Sequence, residues 1–223
     1  MKQLLRISVL IFLVFLVHSC KEKEDISQIK DGDGNIYTSV KIGTQEWLVE
    51  NLKSTSYIDG NAIPLVTDGG AWSTLSTPAY CWYNNNETAN KNTYGALYNW
   101  YAVNSGKLCP DGWHIQTYDE WQVLVNYLGS DNLPGKLKEA GTSHWVNPNS
   151  GATNSSGFTA LPGGQRSEGG LFDFAIYNGL WWTSSEISVQ EAWGIWIASD
   201  LTQVYCSMED KRQGYSVRCI KDK

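Results

Sequence analysis

The spacing of apolar and polar positions changes several times along this 223-residue chain, and each change marks a different element. Positions 7–17 are apolar except for Ser8, with Lys2 and Arg6 ahead of them. A short apolar run behind positive charge is the pattern of a secretory signal, whereas a transmembrane helix needs ~20 apolar residues. Residues 36–42 and 46–49 follow the turn-forming Asp31-Gly32-Asp33-Gly34-Asn35 and flank Gly43-Thr44-Gln45, which predicts a β-hairpin. The segment 54–92 is loop-rich, with Asp68-Gly69-Gly70 and Asn84-Asn85-Asn86 as breakers. Residues 93–103 predict a short helix with Leu97, Trp100 and Tyr101 on one face, closed by Gly106. The clearest helix begins at Thr117. Thr117-x-x-Glu120 is a capping box, Trp121, Leu124, Val125 and Leu128 form one apolar stripe, and Gly129 ends the pattern. From 141 to 170 the chain is rich in Gly, Asn, Ser and Pro, and long irregular segments of this kind are functional or densely hydrogen-bonded. Strands are predicted at 179–184, 192–198, 202–207 and 215–220. Helices early and antiparallel strands late give an α+β domain, and no fixed-period repeat points to a solenoid or propeller.

The apolar run ends at Val17-His18-Ser19-Cys20, and Lys21-Glu22-Lys23-Glu24-Asp25 follows at once. A small residue before a cysteine at this place resembles the lipobox of bacterial lipoproteins. That resemblance implies a signal peptide over 1–19, lipid on Cys20, a polar tether over 20–30 and a folded domain over 31–221. The expected location is the bacterial cell envelope, lipid-anchored at the outer membrane and exposed at the cell surface. The alternative is a cleaved signal that leaves Cys20 as a plain thiol.

Charge narrows the partners. Beyond residue 19 there are 15 basic and 23 acidic side chains, a net of −8, which argues against nucleic acid and anionic lipid surfaces. Aromatic content is high, with 11 Trp, 12 Tyr and 5 Phe. Cysteines other than Cys20 are Cys81, Cys109, Cys206 and Cys219; four allow three full pairings, and spacing does not choose among them. No C-x-x-C is present, and His18, His114 and His144 lack metal-ligand spacing, so neither a zinc site nor any cofactor is expected. Asp31-x-Asp33-Gly34-Asn35 shares the first half of an EF-hand loop, but Ile42 and Thr44 stand where the later Glu is needed, so it reads as a turn.

Seven stretches, in order, resemble the Fibrobacter succinogenes major paralogous domain, a family of exported bacterial proteins. They are Val40-Lys41-Ile42-Gly43 with Glu46-Trp47 and Glu50-Asn51-Leu52; Ala79-Tyr80-Cys81-Trp82-Tyr83-Asn84-Asn85; Tyr94-Gly95-Ala96-Leu97-Tyr98-Asn99-Trp100; Leu108-Cys109-Pro110 with Gly112-Trp113-His114 and Glu120-Trp121; Gly157-Phe158 with Ala160-Leu161-Pro162-Gly163-Gly164 and Arg166; Trp181-Trp182-Thr183-Ser184-Ser185-Glu186; and Ser216-Val217-Arg218-Cys219. The resemblance implies a single C-type-lectin-like domain with a twisted antiparallel sheet and two helices. It also implies closure of the two chain halves on each other and a Cys109–Cys219 disulfide. The family has no settled activity, so function rests on the residues.

Those residues favour binding over catalysis. A thiol-dependent oxidase or protein-modifying enzyme, of the formylglycine-generating type that shares this fold, would use Cys81 and Cys206, but no supporting acid and histidine cluster accompanies them. Ser184-Ser185-Glu186 lacks a nucleophile elbow. Asn147-Pro148-Asn149 lacks the carboxylate of a calcium-dependent sugar site. Strand alternation sets Ile195 and Ile197 toward a core and Trp196 away from it, with Tyr205 and Ser207 sharing a face. The candidate ligand-binding set is Gln165, Arg166, Trp196 and Tyr205, with a glycan or an envelope or host protein as ligand. Arg166 either offers its planar donor fork to that ligand or bonds loop carbonyls. The remaining alternative is a purely structural envelope protein without a ligand.

Overall fold

A computed structural model describes residues 28–223 of the chain. The expected signal peptide, Cys20 and the expected tether up to residue 27 lie outside the described residues. Within them, no helix is long and apolar enough to cross a membrane.

The chain order is β1 (Ile29–Lys30), β2 (Ile36–Tyr37), β3 (Ser39–Ile42), β4 (Gln45–Leu48), α1 (Gly69–Ser73), β5 (Tyr80–Cys81), α2 (Glu87–Asn90), β6 (Leu97–Tyr98), α3 (Trp100–Val103), β7 (Trp113–Ile115), α4 (Tyr118–Leu128), α5 (Leu133–Leu137), β8 (Gln165–Arg166), β9 (Phe172–Asp173), β10 (Asn178–Glu186), β11 (Glu191–Ala198), β12 (Tyr205–Asp210) and β13 (Cys219–Lys221). The fold is α+β with mainly antiparallel sheets. Among the described residues, five α-helices stand where two were expected, and only α4 exceeds five residues.

A four-stranded sheet in the order β3-β4-β13-β7 joins the two ends of the domain. The last strand, β13, lies between the N-terminal hairpin and β7, with Cys219 opposite Ile115. That placement brings Cys219 to Cys109, and the two form a disulfide with Cα atoms 6.0 Å apart. A three-stranded meander, β10-β11-β12, forms the second sheet. One of its faces carries Leu180 and Trp182 into a cluster with Tyr98, Trp100 and Tyr215. The other carries Trp181, Ile195 and Ile197 into a cluster with Trp47, Trp121, Trp145 and Phe158. Period-2 alternation thus covers both faces, as the isoleucine pattern of β11 requires.

Local chemistry explains the elements. In α4 the Thr117 hydroxyl accepts from Glu120 N at 3.1 Å, and the Glu120 carboxylate accepts from Thr117 N at 3.0 Å. Asp119 and Glu120 sit in the first turn, where the helix dipole favours negative charge. Trp121 and Leu124 are buried, and Trp121 meets Trp47 edge-on at 6.2 Å.

Four expectations are corrected. The stretch 93–103 is not one helix: Leu97–Tyr98 is extended and paired with Tyr80–Cys81, and only Trp100–Val103 is helical. Asn99 causes the switch, because its side chain accepts from Ala102 N at 3.1 Å and starts the helix there. Asp68-Gly69-Gly70 is a helix start rather than a breaker, since the Asp68 carboxylate accepts from Ala71 N at 2.7 Å. The third late strand begins at Tyr205 instead of 202, and the fourth shrinks to Cys219–Lys221 while Tyr215 and Ser216 bridge singly to Tyr98 and Trp181. Ahead of the hairpin, Ile29–Lys30 pairs with Ile36–Tyr37.

Irregular segments are held by buried cations. The Lys138 ammonium donates to the carbonyls of Ser150, Ala198 and Ser199 at 3.0, 3.2 and 3.0 Å. Arg218 donates to Asn51 Oδ1 at 2.9 Å and to Phe158 O, and lies 4.2 Å from the Phe158 ring. Lys211 bonds Glu186 and the carbonyls of Ser188 and Val189, 4.5 Å from the Trp100 ring. Each cation adds a donor to carbonyls in loops or at a strand end, where a buried backbone needs partners beyond the regular ladders.

Candidate functional site: an aromatic cleft on the meander

The site begins with one rung of the meander. Leu180, Trp196 and Tyr205 are Cα partners across β10, β11 and β12. They therefore project on one face, and the Trp196 and Tyr205 rings stack in parallel, 4.2 Å apart at 11°. Trp196 is half-buried. It lines an open cleft of about 380 Å³ together with Leu180 and Tyr215. Gln165 and Asn178 bring amides to the cleft, Glu209 and Gln213 a carboxylate and an amide, and Phe174 forms the rim. Such a volume lies within the range of small-ligand pockets.

The floor depends on Gly194, directly opposite Ser207 in the ladder. A Cβ there would lie 2.8 Å from Glu209 Cγ and 3.1 Å from Tyr215 Cε2, so the bare backbone leaves room for both side chains. Glu209 accepts from Ser207 Oγ at 2.6 Å. Burial raises the Tyr215 phenol well above its ordinary pKa, and the nearby Glu209 and Glu168 raise it further. Gln213 donates to Glu168 at 2.9 Å, which leaves its Oε1 buried without a partner.

The rim is strained. Phe174 and Ile176 both have φ of 64°, a left-handed conformation that costs bulky and β-branched residues ~1–3 kcal/mol each. Hydrogen bonds hold it: Ile176 N donates to Pro162 O at 3.0 Å, Asn178 N to Phe174 O at 2.9 Å and Val146 N to Ile176 O at 2.9 Å. Phe174, Ile176 and Tyr177 are left exposed by 43–53%. Gly164 makes room behind the rim, where a Cβ would meet Ala175 N and Asp173 O at 2.7 Å.

Of the four residues expected to bind ligand, Gln165 and Trp196 line this cleft and Tyr205 backs Trp196. Arg166 does not face it. It is 1% exposed, donates to the carbonyls of Gly170, Val66 and Thr67 at 3.1, 2.6 and 2.9 Å, and lies between the Trp72 and Phe172 rings at 4.5 and 4.8 Å. Its fork is fully engaged by loop carbonyls, so the ligand role is withdrawn. Glu209 belongs to the cleft and was missed, although the Tyr205 and Ser207 alternation reaches it when extended by two residues. Phe174 had no sequence signal, because its direction follows from a left-handed backbone.

Other candidate chemistry is engaged in structure. Cys81 is buried with Trp72 and Leu97, and burial pushes its thiol up to about 12 against the opposing pull of Arg166. Cys206 packs against a different cluster, and burial raises its thiol too. The Ser184 hydroxyl donates to Ile115 O at 3.0 Å, and that of Ser185 accepts from Tyr118 N at 2.9 Å. His114 sits between Asp222 and Glu120, with ring nitrogens 2.6 and 3.0 Å from their carboxylates. His144 meets Glu139 at 2.9 Å. Asn149 bonds the carbonyls of Glu139 and Gly141, and the Asp31 carboxylate accepts from its own turn and from Tyr37. Among the described residues, no group of three or more His, Cys, Asp or Glu is placed to hold a metal ion.

The chain is thus a disulfide-linked, loop-rich α+β domain with one open aromatic cleft on its meander. Residues 40–221 match the Fibrobacter succinogenes major domain, and the chain belongs to that family. No curated protein and no solved structure matches it.

Proposed function

We propose that this protein is a non-catalytic binding or adhesion module of the bacterial cell envelope, held by lipid on Cys20 at the outer membrane, with a glycan or protein ligand in the Trp196 cleft. The observation that carries the reading is the cleft itself. It joins a stacked aromatic pair, three amides of which one has an unpartnered buried oxygen, and a strained, exposed rim in one place. Strain of that kind persists where the surroundings over-determine it and collects at ligand sites. The rival thiol enzyme needs an accessible, low-pKa thiolate. The burial of Cys81 and its raised thiol favour the binding reading over that rival.

The test is an array of glycans and envelope proteins probed with the full chain in detergent. Binding is expected to disappear in the combined Gln165→Ala, Trp196→Ala, Tyr205→Ala variant and to survive alkylation of free thiols. Binding that persists in the combined variant moves the site elsewhere. For the anchor, metabolic labelling with a fatty acid is expected to tag the wild type and not Cys20→Ala; equal labelling of both refutes lipidation at Cys20.

A further inference from the structure

Resting on the cleft reading above, we infer that the ligand is a neutral pyranose unit of a glycan, and that acidic sugars are rejected. Three features of the cleft point there. The first is its aromatic content: Trp196, backed by Tyr205 on one side, and the half-exposed Phe174 at the rim. A pyranose carries a face of weakly positive C–H groups, which suits the negative face of an aromatic ring.

The second is the type of polar group. The amides of Gln165 and Asn178 line the cleft, and the Oε1 of Gln213, which lines it too, is buried without a partner. An amide both donates and accepts, and so does a hydroxyl, so this set matches a ring of hydroxyls. A single charged ligand group would leave half of that capacity unmet.

The third is charge. Among the described residues no Lys, Arg or His lines the cleft, while Glu209 does and Glu168 contacts Gln213. The nearby Arg212 is clamped by Asp210 at 2.8 and 2.6 Å and donates to Ser73 O at 3.0 Å. A uronate or other anionic sugar would bury its charge beside Glu209 with no counter-ion, which is strongly unfavourable. For a cationic ligand the Glu209 carboxylate is partly spent, because it accepts from Ser207 Oγ and is hydrogen-bonded to the buried Tyr215 phenol.

Calorimetry of the full chain in detergent, with three probe classes at low and high salt, decides the matter. The probes are neutral oligosaccharides (cello-, manno- and xylo-oligomers), oligogalacturonate and chitosan oligomers. A neutral oligomer is expected to bind with little salt dependence, and the oligogalacturonate not at all. Phe174→Ala is expected to weaken the neutral ligand ~10-fold. Phe174 is half exposed, so this variant tests the cleft with its core intact, and an unchanged urea midpoint verifies that. Glu209→Gln is expected to weaken the neutral ligand and to relieve the exclusion of the acidic one. Preference for oligogalacturonate or chitosan, or no binding of any neutral probe, overturns the neutral-sugar inference. If the preferred ligand is another class but still depends on Phe174, only this inference falls. If the bound ligand is indifferent to both variants, the cleft reading falls with it.

Discussion

Arg166→Met removes a buried guanidinium while keeping an apolar chain of similar length, and so asks what that charge contributes. The guanidinium holds three carbonyls, those of Gly170, Val66 and Thr67, at 3.1, 2.6 and 2.9 Å. Without it the carbonyls of Gly170 and Val66 face a protein interior, at ~2 kcal/mol each, while that of Thr67 keeps a bond from Asn85 Nδ2 at 3.0 Å. The stacks on Trp72 and Phe172 add ~1–2 kcal/mol of desolvated cation–π attraction. Against this stands relief from burying a charge with no carboxylate among its hydrogen-bond partners, worth a few kcal/mol. The net expectation is a loss of ~3 kcal/mol. For a domain of this size that lowers Tm by ~6–12 °C. Urea denaturation of wild type and Arg166→Met, followed by tryptophan fluorescence, measures it directly. Arg166→Lys is expected to recover only part of the loss, because an ammonium lacks the planar fork and the stacking face. A loss below ~1 kcal/mol refutes the reasoning, since desolvation would then cancel the carbonyl bonds.

Three further outcomes follow from the same structure. Replacing both Cys109 and Cys219 by Ala opens a loop of 110 residues and is expected to lower stability by ~4–5 kcal/mol; an unchanged urea midpoint refutes it. For His114, burial opposes the charged ring, but Asp222 and Glu120 outweigh it and raise its pKa above 6.5. Its contribution is full below that ordinary value and is lost as pH rises through the folded one, so Tm of wild type relative to His114→Gln should fall across that window. For Lys138, burial lowers the pKa from 10.5 to about 8 despite the neighbouring Asp200. The folded state then holds fewer protons than the unfolded chain between those values. Stability relative to Lys138→Met should therefore rise with pH from about 8 to 10.5, and a flat or falling difference counts against burial as the cause.

What the sequence disclosed depended on how local the signal was. The capping box and stripe of α4 are complete within twelve residues, and the helix forms where that pattern puts it. The faces of β11 were legible because Ile195 and Ile197 alternate with Gly194 and Trp196. Where partners are distant, local reading failed. Leu97 and Tyr98 have helical spacing with Trp100 and Tyr101, but pairing with Cys81 and Tyr80 makes them a strand. Arg166 stands next to Gln165, which lines the cleft, yet its own partners at Val66 and Thr67 are about a hundred positions away. Nothing within a few residues of Arg166 distinguishes a guanidinium that meets a ligand from one that meets carbonyls.

That distance also explains how Arg166 serves the cleft without touching it. Its backbone exchanges both hydrogen bonds with Gly214, at 2.9 and 2.7 Å, and Gln213 and Tyr215 flank that glycine. Gln165 precedes Arg166 and pairs with Asp173, which precedes the rim residue Phe174. Arg166 therefore stands where two cleft walls, 165–174 and 213–215, meet, and its guanidinium ties that point to the 66–67 loop. These walls are irregular, and a short strand pair such as β8 and β9 is marginal by itself. A buried cation that gathers carbonyls from separate loops replaces the missing sheet, and the surrounding rings keep it away from water. The role is positional, so it has a signature that a ligand contact would not have. In Arg166→Lys, lost affinity should follow lost stability, and a stabilising osmolyte such as sucrose should restore binding toward wild type. In Phe174→Ala, affinity should fall with the urea midpoint unchanged and no osmolyte rescue. Equal rescue of both variants, or of neither, would mean that Arg166 and Phe174 act on the ligand in the same way and that the division between frame and site is wrong.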